Sequence, residues 1–194
     1  MLSKNLNVFD LDGTLIKVNS FQEVSRQLVF TLLMKLRIVP VLWITFWYIL
    51  RKCGIVSHLK FKKRVVNIFE KSLSEKKKKN ICQAVFDKNI NKTVFERMAN
   101  FESCIITTAS PFAYVSRMFF NKNVTIISSL APDGRFPEPA NFGQAKIKNL
   151  KACFNDGNIR VINFFTDNNI DDKSLIDFSE NAFIVRGDQL IKVK

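Results

Sequence analysis

An apolar run at residues 6–9 leads straight into Asp10-Leu11-Asp12-Gly13-Thr14, so two carboxylates stand two positions apart where a first strand should end. Along an extended backbone residues i and i+2 point to the same side, and Asp10 and Asp12 can therefore face one ligand. Gly13 and Thr14 then turn the chain. Carboxylates held that close raise one another's pKa unless a cation sits between them, and bound Mg²⁺ is the natural complement. Taken alone, Asp-Gly is an ordinary turn signal. The motif gains weight from three further pieces downstream.

The first follows the strand-like run 104–107, which ends in Thr107-Thr108-Ala109-Ser110-Pro111. A hydroxyl at the carboxyl end of a strand, beside main-chain N–H groups, can hold a phosphate oxygen. Thr108 is the candidate, with Ser110 a weaker one suited to capping the next helix. The second is Gly143-Gln144-Ala145-Lys146, ahead of an amphipathic stretch with Ile147 and Leu150. Lys148 and Lys151 nearby read as surface lysines, and only the register with Gly143 singles out Lys146. The third, Thr166-Asp167-Asn168-Asn169-Ile170-Asp171-Asp172, follows the strand-like run 161–165. It places Asp167 and Asp171 four apart at a strand end, with Asp172 competing for the role of Asp171. Hard oxygen ligands of this kind suit Mg²⁺.

Between these pieces the hydrophobic pattern alternates. Asn19 or Ser20 can cap a helix with Phe21, Val24, Leu28 and Leu32 on one face. Pro40 is expected to separate it from a second, apolar helix ending near Gly54. Ser57 starts a basic amphipathic helix with Lys60, Lys62, Lys63 and Arg64 opposite Val65, Ile68 and Phe69. Ser74 starts another with Ile81, Val85 and Phe86 inward, and 93–100 returns to the core. Strand-like runs at 104–107, 124–128, 160–165 and 182–185 are then separated by helix-length segments. The expected fold is α/β, a Rossmann-like doubly wound parallel sheet with helices on both faces.

In this order, each after a hydrophobic strand, the four pieces resemble the motifs of the haloacid-dehalogenase-like hydrolases, over nearly the whole chain. The resemblance implies a catalytic core from residues 1–16 and 101–194, with a helical cap, 17–100, inserted after the first strand. It implies that Asp10 attacks phosphorus to form an aspartyl-phosphate, and that Asp12 protonates the leaving group and later activates water. Thr108, Ala109, Lys146 and Gly13 would bind the phosphate. Asp10, Asp12 and Asp167 would surround Mg²⁺, with Asp171 binding it through water or orienting the lysine. Gly-x-x-Lys and Thr-Ala-Ser-Pro are similar to subclass IB, the group that contains phosphoserine phosphatases. The apolar, basic insertion is closer to the phosphatidylglycerophosphatase C enzymes of that group, which act on a lipid phosphate. Gln144 and Asn141-Phe142 depart from the family's usual acidic residue and Cys-Tyr.

The charge supports an unusual insertion. Residues 17–100 hold 18 Lys and Arg against five Asp and Glu, a surplus that equals the whole net charge of +13. A positive cap can draw anionic substrates toward acidic catalytic groups. Within it, residues 38–50 run uncharged through Trp43, Trp47 and Tyr48, with Lys35, Arg37, Arg51 and Lys52 on the flanks. As a helix this run spans only about 20 Å, too short for a bilayer core of about 30 Å. A helix-turn-helix dipping into one anionic leaflet suits the aromatics and cations; the alternative is a cap helix buried in the core.

The expected activity is therefore a Mg²⁺-dependent phosphomonoesterase on a membrane lipid phosphate. A soluble phosphatase of a sugar phosphate, phosphoserine-like metabolite or nucleotide end is the first alternative, and a non-enzymatic anion-binding or membrane-tethering module the second. Nucleic acid ranks below an anionic membrane as a partner. Scattered cysteines and the short stretch ahead of the first strand lead to the expectation of a cytoplasmic protein, peripheral at the inner face of the membrane.

Overall fold

The computed structural model describes residues 4–194 apart from Asn121, Asp156, Gly157 and the side chain of Asp133. Met1, Leu2 and Ser3, part of the stretch read above for a leader, lie outside the described residues.

Strand β1 (Lys4–Phe9) carries Leu6 and Val8 on one face and is followed by five helices before the chain returns to the sheet. These are α1 (Ser20–Met34), α2 (Ile38–Lys52), α3 (His58–Ser72), α4 (Glu75–Asn89) and α5 (Lys92–Ala99). Then come β2 (Cys104–Pro111), α6 (Phe112–Met118), β3 (Thr125–Ser129), α7 (Gln144–Cys153), β4 (Ile159–Thr166), α8 (Lys173–Phe178), β5 (Asn181–Arg186) and β6 (Gln189–Lys192). The sheet order is β3-β2-β1-β4-β5-β6, parallel throughout except for β6 against β5. This is the expected doubly wound α/β sheet. The chain reverses its direction of winding between β1 and β4, where the crevice at the strands' carboxyl ends is the natural ligand site.

Each face of the sheet has its own apolar cluster. On one, Leu6, Val8, Val161 and Phe164 pack with Leu150 of α7 and Leu175 of α8. On the other, Phe9 and Phe165 join Leu28 of α1, Val65 and Phe69 of α3 and Phe86 of α4. Phe165 stacks between Phe9 and Phe183, with ring centroids 4.6 and 4.8 Å away. The register pairs these residues across β1, β4 and β5, so the aromatic row follows from the strand alignment. Helices α1, α3 and α4 therefore share their core with the sheet.

Three local readings need correction. Pro40 does not end the first helix; it lies in the first turn of α2, where its missing N–H costs nothing. The break comes at Leu36, whose φ of 54° reverses the chain between α1 and α2. Second, β6 escaped the sequence reading because its exposed, mixed residues carry little periodicity, although Gly187-Asp188 before it is a hairpin signal. Third, Lys62 is not on the solvated face of α3. It is 9 % exposed and points into the molecule.

The apolar run 38–50 forms most of α2, where Ile44 is the buried residue. Leu42, Trp43 and Phe46 are exposed, as are Val39 at 77 % and, in the preceding turn, Leu36 at 85 %. Spacings of three and four put Val39, Leu42, Trp43 and Phe46 on one outward face, so the buried-helix alternative does not describe this segment. Among the described residues no helix is long and apolar enough to cross a membrane.

Candidate active site

Asp10 emerges from β1, its N–H donating to the Phe165 carbonyl of β4 at 2.9 Å. Lys146, in the first turn of α7, reaches it from across the sheet edge: Nζ donates to Asp10 Oδ1 at 2.8 Å and to Asp172 Oδ2 at 2.9 Å. Asp172 is held in turn by the Thr166 hydroxyl at 2.6 Å. The lysine is 4 % exposed, and burial alone would lower its pKa. The carboxylates of Asp10 and Asp172 outweigh that and hold it above the ordinary lysine value. Asp10 is pushed up to about 7, chiefly by burial, against the lowering effect of Lys146 and with help from the negative charges of Asp172 and Asp12.

Asp12 is served by different donors. Its Oδ1 accepts the Ser20 N–H at 2.8 Å, from the first turn of α1, and its Oδ2 accepts the Ser110 hydroxyl at 2.7 Å. The cap of α1 is Asn19, whose side chain accepts from Gln22 N–H, which leaves Ser20 for the carboxylate. The positive end of a helix dipole thus meets a negative group. Ser20, Ser110 and Tyr114 form a buried hydroxyl cluster behind it. Thr108 accepts the Ser110 N–H at 3.1 Å, so its own proton remains for a ligand oxygen. Pairing of β2 with β3 is irregular between Thr108 and Pro111, which lets Ala109 and Ser110 bulge toward the site.

Gly13 explains how Asp167 fits. With φ at +74°, a Cβ at this position would lie 2.1 Å from Asp167 Oδ2, so only glycine admits the carboxylate against the loop. Burial raises the Asp167 pKa, and the charges of Asp172 and Asp12 add to that. Arg186, at the end of β5, donates to the Asp167 carbonyl at 2.6 Å and steadies this turn.

Asp171 is placed away from Lys146, which corrects the expectation that it orients the lysine. It is exposed, and its carboxylate accepts from Asn168 Nδ2 at 2.6 Å. The Asn168 side chain also accepts the Ile170 and Asp171 N–H groups, so this turn satisfies itself. The lysine-holding carboxylate belongs to Asp172.

Two residues beyond the expected set complete the surroundings. Lys62 extends from α3 and donates to the Ala109 carbonyl at 3.0 Å. Burial lowers its pKa and the nearby charge of Asp12 opposes that. Its spacing of three from Val65 and seven from Phe69 is the signal that could have placed it on their face of α3. Asn141 is fully buried, and its Nδ2 donates to Thr107 Oγ1 and to the Thr108 and Ile127 carbonyls. It pins the loop before α7 to the ends of β2 and β3, and no sequence pattern marked it.

The family model described as haloacid dehalogenase-like hydrolase matches residues 8–171. The chain belongs to this family of hydrolases. No curated protein sequence matches it. Among solved structures, a protein of unknown function from Bordetella pertussis Tohama I is similar, with a TM-score of 0.64 and 15 % identity over 93 % of this chain and 89 % of its own. A phosphoserine phosphohydrolase-like protein from Francisella tularensis subsp. tularensis SCHU S4 has a TM-score of 0.51 and 17 % identity over 92 % of this chain and 85 % of its own. At these identities the likeness is one of fold.

The acidic groups test whether Mg²⁺ fits. The charges of Asp12 and Asp172 help raise the pKa of both Asp10 and Asp167, and Lys146 is the cation bonded to Asp10 and Asp172. Among the described residues no three Asp, Glu, His or Cys side chains form a complete protein cage for a metal. Mg²⁺ does not need one, because it commonly takes one or two carboxylates and completes its shell with water and phosphate oxygens. The excess of carboxylates and the raised pKa of Asp10 and Asp167 are what such a cation would relieve.

Proposed function

We propose that this hydrolase is a Mg²⁺-dependent phosphomonoesterase that works through an aspartyl-phosphate on Asp10, with a membrane lipid phosphate such as phosphatidylglycerophosphate as its substrate. The observation that carries the phosphatase reading is Lys146 bridging Asp10 and Asp172 beside a separately solvated Asp12. One carboxylate is thereby oriented by a cation, and the other by neutral donors, as a nucleophile and an acid require.

Asp10 and Asp167 would hold the Mg²⁺; Asp12 has both oxygens engaged by Ser20 and Ser110 and is assigned to proton transfer. When bound, the cation supplies positive charge that favours ionised Asp10 and offsets the charge of the phosphate. Thr108 and the main chain at Ala109 bind a phosphate oxygen, Gly13 leaves room at the loop, and Lys146 neutralises charge on the phosphoryl group as it moves. Asp10 Oδ attacks phosphorus in line, the P–O bond to the leaving group breaks, and Asp12 gives that oxygen its proton. Asp12, now ionised, takes a proton from water as the water attacks the aspartyl-phosphate, which returns Asp10 and releases inorganic phosphate.

The lipid reading is supported by the outward face of α2. Leu42, Trp43 and Phe46 are exposed, and exposed Lys35 and Lys52 flank the apolar run in sequence. Apolar side chains with cations at the margin suit one anionic leaflet. On this reading the protein is peripheral to the membrane.

Asp10→Asn tests the chemistry: turnover of an aryl phosphate should vanish while Mg²⁺-dependent phosphate binding persists, and full activity without Asn deamidation would remove Asp10 as nucleophile. Cosedimentation with vesicles of anionic lipid tests the membrane part. Binding should weaken at high salt and in a Trp43→Glu, Phe46→Glu variant; a protein that stays in the supernatant has no such surface role.

A further inference from the structure

A cleft of about 960 Å³ lies between α3 and the loop that follows β3. It contains none of Asp10, Asp12, Thr108, Lys146 or Asp167, so it is separate from the candidate active site. Its walls are apolar at Trp47, Val56 and Phe136, and cationic at Lys60, Lys63 and Arg64. The cations follow one another at helical spacing on the outer face of α3, opposite buried Phe61, Val65 and Phe69.

Among the described side chains the charge in the cleft is not balanced. The two acids among its described lining side chains are occupied by other cations: Glu70 pairs with Lys78 at 2.6 Å and Arg117 at 2.7 Å, and Glu138 with Lys148 at 3.0 Å. Lys60, Lys63 and Arg64 have no carboxylate partner of this kind among the described residues. Arg64 instead lies over the Trp47 ring, 4.7 Å from its centroid.

Trp47 also connects the cleft to the exposed face of α2. Its ring meets those of Trp43 and Phe46 edge to face, each with centroids 6.1 Å apart. An apolar path thus runs from the outward aromatics of α2 to a pocket edged by Lys60, Lys63 and Arg64. At its other side α3 touches the active site, since Lys62 bonds to the Ala109 carbonyl at 3.0 Å.

We propose that this cleft is a headgroup site for a glycerophospholipid. Lys60, Lys63 and Arg64 bind the phosphodiester, and Trp47, Val56 and Phe136 take the first carbons of the acyl chains. A free anion would use the cations and leave the apolar walls bare, whereas an apolar ligand would leave the cations unmatched. The proposal deepens the lipid reading above, on which it rests, by naming where a lipid is recognised apart from the phosphate that is cleaved.

The test is a binding measurement that needs no turnover, namely calorimetric titration of the protein with monomeric dihexanoyl phosphatidylglycerol and, in parallel, with glycerol 3-phosphate. The expected result is saturable binding of the lipid and much weaker binding of glycerol 3-phosphate. In Lys60→Glu, Lys63→Glu, whose altered side chains are both exposed, lipid affinity should drop by about tenfold or more. Hydrolysis of an aryl phosphate by that variant should match the unaltered protein, which also verifies its fold. No saturable lipid binding, equal binding by the variant, or equal affinity for glycerol 3-phosphate would each overturn the headgroup site. Absence of aryl phosphate hydrolysis by the unaltered protein would instead defeat the phosphatase reading.

Discussion

Lys146 Nζ lies 2.8 Å from Asp10 Oδ1 although 136 residues separate the two in the chain. The contact exists because β1 ends and α7 begins at the carboxyl edge of the sheet, next to the crevice between β1 and β4. Substituting Lys146 by Met should lower kcat/KM for an aryl phosphate by about 10²- to 10³-fold, the scale for losing one preorganised charge in such a site. It also leaves two buried carboxylates without their cation. Protonation can relieve them at low pH, so the drop in thermal midpoint should be larger at pH 8 than at pH 5.

The neighbours Asp171 and Asp172 should behave differently. Asp172 bonds to Lys146 and Thr166, whereas Asp171 is tied to Asn168 at the surface. Asp171→Asn should leave steady-state activity close to the unaltered level. Asp172→Asn should cost about 10- to 100-fold in kcat, as changes to a supporting carboxylate commonly do. Equal losses in both variants would contradict the assignment of the lysine's partner.

Gly13→Ala puts a methyl group 2.1 Å from where Asp167 Oδ2 lies, at a φ of +74°. The left-handed backbone alone costs about 1–2 kcal/mol. Displacement of Asp167 should raise the Mg²⁺ concentration needed for half-maximal activity, which a metal titration of the variant measures. An unchanged metal requirement would separate Asp167 from the cation.

Cys82 gives a pH-dependent readout of the shared core. Burial pushes its thiol up to about 12 from an ordinary 9.0, so at pH 8 its thiolate fraction is about 10³-fold below that of an unperturbed thiol. Alkylation followed by peptide mass spectrometry should label exposed Cys53 first and Cys82 only on unfolding. The shift has a stability sign as well. Above about pH 9 the unfolded thiol ionises while the folded one keeps its proton, so the unfolded state binds fewer protons and stability falls with rising pH. Replacing Cys82 by Ala should reduce that alkaline slope in thermal melts.

Much of the site could be read from the chain alone because its chemistry is local in sequence. Asp10 and Asp12 stand two positions apart directly after β1, and Thr108 and Asp167 follow apolar strand segments. Asp171 misled because spacing cannot tell which of two adjacent carboxylates a turn consumes; Asn168 decides that by closing the loop on its own side chain. Lys62 was hidden among lysines of similar spacing, and its inward direction was set by what α3 packs against. Asn141 left no sequence signal, since a single buried amide matters only where three strand and loop acceptors converge.

The sequence by itself determined the alternation of strands and helices, the basic and apolar character of the insertion, and the residue types that meet at the sheet edge, since periodicity and charge are properties of neighbouring residues. Only the tertiary structure decided that Asp172 holds Lys146, that α2 presents its aromatics outward, and that three cations of α3 stand over an apolar cleft without carboxylate partners among the described residues. Those outcomes depend on contacts between segments far apart in the chain, where burial and ion pairing are settled by packing and not by local pattern.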